Sequence, residues 1–345
     1  MPNDRTKVLV TLPLEPELVN QILGVDPRVE VLYEPDLLGR PQYATHYNAP
    51  IHRTPAQEAR WQELLAQAEV MFGFDYTHLD DLLEFTPQLK WIQGSSTGIG
   101  QAVAKFGWDK SDIVFTTAGG VHSRPLAEFC LMAMLMFVKD AFRMAAEQER
   151  KHWERYTGTE LRGKTLAVIS LGRGGQEVAR LARCLGMRVI GTKRSIEGLE
   201  PTSLGVERLY PWTDLQPMLA RADFVVLSLP HTLETAGLIG AEELAAMKPG
   251  AVLINVARGD IWDESAVVRA LESGRLGGVA SDVFAVEPLP SDSPLWAMPN
   301  VLVSPHSASA ADSEKSKLTD LFCDNLRRYL AGDPLRNVLD KVKLY

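Results

Sequence analysis

Apolar and polar positions alternate in two rhythms along this chain, and the rhythms exchange repeatedly. Lys7–Leu12 (KVLVTL), Val29–Tyr33, Glu69–Phe74, Lys90–Gln93 and Ile113–Thr116 are short runs of aliphatic, β-branched and aromatic residues, with the length of buried strands. Helical spacing fills the intervals. Glu15–Leu23 is one such stretch; Thr54–Gln67 (TPAQEARWQELLAQ) is another, and its Thr-Pro start puts Pro55 in the first turn, where a missing N–H does no harm. Strands alternating with helices imply βαβ units and a mostly parallel sheet.

A glycine turn at Thr117–Arg124 (TAGGVHSR) interrupts this series. One long helical pattern follows, from Pro125 to about Glu149, with Met, Leu, Ala and Phe on more than one side, so burial on several faces is expected. A second and stronger series then begins. Thr165–Ser170 reads as a strand, Gln176–Leu185 as a helix, and Arg188–Gly191, Asp223–Ser228, Val252–Val256, Val279–Ser281 and Val301–Val303 as further strands. A last helix, Asp312 to about Leu330, stops at Gly-Asp-Pro. Order predicts two α/β domains. The strongest series, residues 122–308, occupies the middle; residues 1–121 form a second set with its own core, and the closing segment, 309–345, is left over and can return to that first set.

Composition narrows the function classes. The chain has 345 residues, 46% hydrophobic and 23% charged. At roughly 100–200 residues per domain this suits two domains. The longest apolar stretch, Leu126–Val138, contains Glu128 and falls short of the about 20 residues of a membrane span. The start, MPNDRTKVLVTL, lacks the basic and apolar regions of a secretory signal. Cys130, Cys184 and Cys323 show no CxxC spacing, which points to a reducing, cytoplasmic setting without disulfides or a zinc site. A net charge of −8 argues against nucleic acid as a partner.

Candidate chemistry starts at Ser170-Leu171-Gly172-Arg173-Gly174-Gly175, between a predicted strand and a predicted helix. That context is the one a dinucleotide site needs: glycines admit the pyrophosphate close to the backbone, and the helix N-terminus offers free N–H groups. If Gly172 and Gly175 are the second and third glycines of a GxGxxG pattern, Ser170 replaces the first, which a tight turn tolerates if it needs no positive φ there. A plain strand-to-helix loop is the alternative. The next strand ends in Thr192-Lys193-Arg194-Ser195. An NAD site places a carboxylate at such a strand end; two cations and two hydroxyls suit the 2′-phosphate of NADP, so NADP is expected over NAD.

Three polar residues follow successive strands: Arg258 in NVARG, Glu287 in DVFAVEP and His306 in SPH. In an open parallel sheet the carboxyl ends of strands face the ligand crevice, so Arg258, Glu287 and His306 can converge there. The longer segments GKTLAVISLGRGGQEVA, SLPHTLETAGLI, NVARGDIWDESAVVRAL, GGVASDVFAVEPLPSDSPLWAMPNVLVSPH and NLRRYLAGDPLRNVLD occur in an order that resembles the D-isomer-specific 2-hydroxyacid dehydrogenase family, of the glyoxylate/hydroxypyruvate reductase kind.

The resemblance implies two Rossmann-like α/β domains with parallel sheets and an active site in the cleft between them. It implies that Arg258 holds the carboxylate and carbonyl of a 2-oxo acid, that His306 is the acid/base, and that Glu287 is its partner. Proton donation needs an imidazolium, which a neighbouring carboxylate favours. Asp282 matches an acid beside the nicotinamide carboxamide, and the backbone of Thr97, Gly98 and Ile99 matches a segment that meets the substrate carboxylate; Gly100 departs from the family's frequent Asp. Leu229, Pro230, Val256, Ala257 and Ser309 complete the implied cofactor contacts, with His231 near the adenine end. The Met-rich helix and the arm through Trp153 imply a homodimer. Competing readings are a dinucleotide-sensing corepressor and a different oxidation, of phosphite or formate, on the same scaffold.

Overall fold

The computed structural model describes residues 5–345. The chain divides into two compact units, Met1–Val121 with Ala310–Tyr345, and His122–Ser309.

The first unit is a parallel sheet of five strands in the order β2-β1-β3-β4-β5. In chain order its elements are β1 (Thr6–Val10), α1 (Pro16–Leu23), β2 (Val29–Leu32), α2 (Pro55–Gln67), β3 (Val70–Phe72), α3 (Leu82–Phe85), β4 (Trp91–Gln93), α4 (Gly100–Lys105) and β5 (Val114–Thr116). Pro55 stands in the first turn of α2, as expected, and Thr54 caps the helix with a reciprocal Thr54–Gln57 pair. One face of the sheet packs on Trp61, Leu64, Leu65 and Trp108. The other packs on Leu318, Phe322 and Leu326 of the closing helix, Glu314–Ala331, with Phe322 stacked on Phe72 at 4.3 Å.

The segment 37–53 has little regular structure but is anchored. Arg53 donates to Thr77 Oγ1 (2.9 Å) and lies over the Trp61 ring (4.3 Å). His78, to which the sequence assigns no role, bridges Asp75 (2.8 Å) and Glu58 (3.1 Å).

The second unit is a parallel sheet of seven strands. Its elements are α5 (Ser123–Lys139), α6 (Ala141–Glu149), β6 (Thr165–Ile169), α7 (Arg173–Cys184), β7 (Arg188–Lys193), β8 (Arg208–Pro211), α8 (Gln216–Leu219), β9 (Phe224–Leu227), α9 (Ala241–Ala246), β10 (Ala251–Asn255), α10 (Glu264–Glu272), β11 (Leu276–Ser281) and β12 (Val301–Val303). The strand order is β12-β11-β10-β9-β6-β7-β8. Apolar side chains fill both faces, as a parallel sheet covered by helices requires.

Two expectations are corrected here. The long helix is two helices, because Asp140 takes φ 57 and ends α5 in a left-handed cap, a conformation that Asp tolerates better than most residues. Nor is it buried on several faces: α5 buries Ala127, Cys130, Ala133, Met134 and Val138, and α6 buries none of its side chains. The edge strand β8 (RLYP) is an addition that the apolar pattern does not reveal.

Candidate active site

The glycine turn lies where the pattern places it, but with a different backbone. Ser170 adopts φ 77, the left-handed conformation that glycine takes freely and serine does not, at a cost of about 1–2 kcal/mol. Two bonds to β7 hold the turn. The Ser170 N–H donates to Thr192 Oγ1 (3.0 Å), and the Leu171 N–H to the Thr192 carbonyl (2.7 Å). Thr192 itself is buried.

Helix α7 starts at Arg173, three residues before the expected start, so Gly174 and Gly175 lie in its first turn. A Cβ at Gly175 would stand 2.2 Å from the Ser170 carbonyl oxygen and 2.9 Å from Val168 Cγ1, so the close approach of helix to strand requires glycine there. A Cβ at Gly172 would meet nothing nearer than Ser170 Oγ at 3.9 Å and would project into the open space at the helix N-terminus. A cradle that a side chain would fill, at the N-terminus of a twelve-residue helix, fits a dinucleotide pyrophosphate.

Lys193 ends β7, with Nζ 3.5 Å from the Leu171 carbonyl and so turned back over the glycine turn. Arg194 follows, exposed, and its Nη2 lies 3.2 Å from Glu234 Oε2. Ser195 is exposed beside it. Leu229 is buried and Pro230 exposed just beyond β9, while Val256 and Ala257 are buried just beyond β10.

Arg258 is shaped by its neighbours. Buried Asn255 accepts from the Ala257 N–H (3.0 Å) and donates to the Arg258 carbonyl (3.1 Å), folding the chain around the arginine. A Cβ at Gly259 would fall 2.0 Å from the carbonyl carbon of Phe284, so glycine after Arg258 lets the loops that follow β10 and β11 touch backbone to backbone. The Arg258 Nη1 donates to the Ala257 carbonyl (2.7 Å). Burial pushes the guanidinium pKa down from its ordinary value, and the nearby Glu287 carboxylate opposes that shift.

The loop after β12 carries His306, whose φ is 53. Its Nδ1 lies 2.8 Å from Glu287 Oε2. The other Glu287 oxygen accepts the Phe284 N–H (3.0 Å), so backbone fixes the carboxylate that orients the imidazole. Asp282 is buried and organises the same loop: its Oδ1 accepts from Ser304 Oγ (2.6 Å), the Ser307 N–H (2.7 Å) and the Ala308 N–H (2.9 Å), and its carbonyl accepts the His306 N–H (2.9 Å). Ser309 follows at the end of the unit. One unit thus brings Arg258, Glu287 and His306 onto neighbouring loops at the carboxyl edge of its sheet.

Thr97, Gly98 and Ile99 belong to the other unit, in the turn between β4 and α4. The Gly98 N–H donates to Ser96 Oγ (3.2 Å) and Ile99 is buried. Gly100 has a local reason for departing from Asp: a Cβ there would lie 2.0 Å from the Leu344 carbonyl oxygen. The contributions of Asn255, Ser304 and Glu234 had no signal in the sequence, although Asn255 stands in the same NVARG segment as Arg258. Among the described residues no three His, Cys, Asp or Glu side chains are grouped to hold a metal, and no helix is long and apolar enough to cross a membrane.

Comparison with known proteins gives the family of the chain. The family model "D-isomer specific 2-hydroxyacid dehydrogenase, NAD binding domain" matches residues 131–308. A D-3-phosphoglycerate dehydrogenase of Methanocaldococcus jannaschii is 33% identical over 262 residues, covering 75% of this chain and 49% of the relative. The chain therefore spans about half the length of that enzyme. A glyoxylate reductase of Aeropyrum pernix is 32% identical over 305 residues, covering 86% and 88%. Among solved structures, an NADPH-dependent glyoxylate/hydroxypyruvate reductase of Sinorhizobium meliloti in complex with NADP and sulfate superposes with a TM-score of 0.79 at 28% identity, covering 99% of this chain and 100% of that one. Motif order and these matches agree: the chain belongs to the D-isomer specific 2-hydroxyacid dehydrogenase family.

Proposed function

We propose that this chain is an oxidoreductase that interconverts a small 2-oxo acid, of the glyoxylate or hydroxypyruvate type, and the D-2-hydroxy acid, with NADP(H) preferred over NAD(H). The observation that carries the proposal is the Glu287–His306 pair at 2.8 Å, its carboxylate anchored on the Phe284 N–H, with half-buried Arg258 on a neighbouring loop. The bound nicotinamide supplies or accepts hydride. Everything else falls to the protein. The planar guanidinium of Arg258 holds the substrate carboxylate and carbonyl oxygen. His306 Nε2, which has no partner among the described residues, gives a proton to the carbonyl oxygen in reduction and takes it back in oxidation. Glu287 keeps the ring turned for that transfer, and Asp282 keeps the loop in place. Thr97, Gly98 and Ile99 are proposed as carboxylate-binding residues on the family resemblance alone.

For the cofactor, Ser170, Gly172, Arg173, Gly174 and Gly175 take the pyrophosphate. Thr192, Lys193, Arg194 and Ser195 take the adenosine end, where no carboxylate stands on the strand to claim a ribose 2′-hydroxyl. Leu229, Pro230, Val256, Ala257, Asp282 and Ser309 line the remainder. A homodimer is part of the proposal. Its support is the apolar exposure along α5, α6 and the arm beyond them, with Met132 44%, Leu135 40%, Met144 47% and Trp153 93% exposed. Free Cys130, Cys184 and Cys323 fit a reducing cytoplasm.

The test is turnover of glyoxylate and hydroxypyruvate with NADPH, wild type against H306A. Loss of turnover in H306A with cofactor affinity retained supports the assignment; equal turnover removes His306 from the chemistry. Light scattering reads the assembly, and a monomeric mass refutes the dimer.

A further inference from the structure

Glu234 stands where the NADP reading has no use for it. It lies in the loop after β9, in a turn fixed by several bonds. The Thr232 N–H donates to Thr235 Oγ1 (2.8 Å), Thr235 Oγ1 donates to the Pro230 carbonyl (2.8 Å), and the Ala236 N–H donates to the Thr232 carbonyl (3.0 Å). That turn carries the Glu234 carboxylate to 3.2 Å from Arg194 Nη2, with both side chains 53% exposed. Arg194 is one of the two cations proposed to receive the 2′-phosphate. A phosphate drawn to it meets a carboxylate already bonded to the same guanidinium, and the two anions repel.

We propose that Glu234 is a specificity-determining residue for the cofactor: by occupying Arg194 it weakens the hold on a 2′-phosphate and keeps the preference for the phosphorylated cofactor moderate. The inference rests on the NADP reading of the β7 end. It needs no change in the chemistry, because the pair stands at the adenosine end of the proposed cofactor site and acts on binding alone.

Two small probes separate the possibilities, adenosine 2′,5′-bisphosphate with the phosphate and 5′-AMP without it. Calorimetry measures the Kd of each for wild type, E234Q and R194A at low and high salt. In E234Q the bisphosphate binds about three- to fivefold tighter, the size expected for an exposed ion pair, while 5′-AMP is unchanged. The gain shrinks at high salt, as screening requires and as a merely structural change would not. In R194A the added E234Q substitution gives a smaller gain. An unchanged Kd ratio in E234Q overturns the proposal. Weaker bisphosphate binding in E234Q overturns it too, since Glu234 would then be holding Arg194 ready for phosphate. If wild type binds both probes equally and R194A alters neither, the phosphate site itself is refuted, and the role of Glu234 with it.

Discussion

Replacing Glu287 by Gln is a nearly isosteric change that removes one charge and reverses one hydrogen-bonding group. The amide of E287Q keeps an oxygen to accept the Phe284 N–H, which the native carboxylate accepts at 3.0 Å, so the loop retains its anchor. What is lost is the acceptor 2.8 Å from His306 Nδ1. A hydrogen bond to a charged group contributes about 1.5–3 kcal/mol when well shielded. The two side chains are 46% and 37% exposed, so about 1–1.5 kcal/mol is a fairer figure here. If the bond acts in the transition state, kcat falls roughly five- to tenfold. Removing the imidazole itself, in H306A, costs a general acid its about 10²–10⁴-fold contribution. The informative experiment is the cycle of wild type, E287Q, H306A and the double variant, read as kcat for NADPH-dependent reduction under saturating substrate. Because Glu287 is assigned to act through His306 alone, E287Q should have no further effect once His306 is alanine. An equal five- to tenfold loss in both backgrounds would show Glu287 acting elsewhere, and an unchanged kcat in E287Q alone would show that the pair is not used.

Other expectations concern substrate, backbone and stability. R258M should raise KM for 2-oxo acids and lower kcat together, whereas unchanged kcat/KM would mean that another cation holds the carboxylate. S170G should raise thermal stability, by about 0.5–1 kcal/mol after glycine's own entropy is set against relief of the left-handed serine, and a lower melting temperature would show that serine is not strained there. G175A should weaken dinucleotide binding, because its Cβ would force α7 away from the Ser170 carbonyl 2.2 Å away; wild-type Kd in a titration contradicts that packing. Burial works to raise the pKa of the Asp223 carboxyl, but the Thr165 N–H and Lys248 outweigh it, and the net shift is downward. The stability from Asp223 is thus present above the ordinary carboxylate range and is lost as pH falls through its lower folded value. D223N should therefore lower the melting temperature at neutral pH and match wild type in strong acid; a constant difference at all pH values would exclude the ion pair as the cause.

Much of this architecture was legible because burial on both faces leaves apolar runs such as TLAVI and AVLIN, bounded by Gly and Lys. The features that escaped each have a physical reason. The edge strand β8 has only one buried residue, Tyr210, within its pattern, and it ends in proline. Asp140 breaks a helix whose apolar spacing runs on without interruption, because a left-handed cap is a matter of one dihedral. The same holds at Ser170: the motif and its register are visible in the letters, the sign of φ is not. At the site, Arg258, Glu287 and His306 each follow a readable strand, but what holds them does not show. Asn255 and Asp282 act through backbone groups, and any polar residue at a strand end looks alike until the loops are folded. Glu234 meets Arg194 because β7 and β9 both run parallel to β6, so the loops after them, distant in sequence, leave the same end of the sheet. His78 needed α2 and the loop after β3 to be brought side by side.

The most direct measurement is kcat/KM for glyoxylate, hydroxypyruvate, phosphorylated hydroxypyruvate and larger 2-oxo acids, each with NADPH and with NADH, followed at the nicotinamide absorbance, with achiral glycolate identified as the product of glyoxylate and the D-hydroxy acid as the product of the others. Reduction of the small unphosphorylated acids, faster with NADPH than with NADH and about 10²–10⁴-fold slower in H306A, is the predicted result. No turnover of any 2-oxo acid with either cofactor, or a clear preference for NADH, would contradict it.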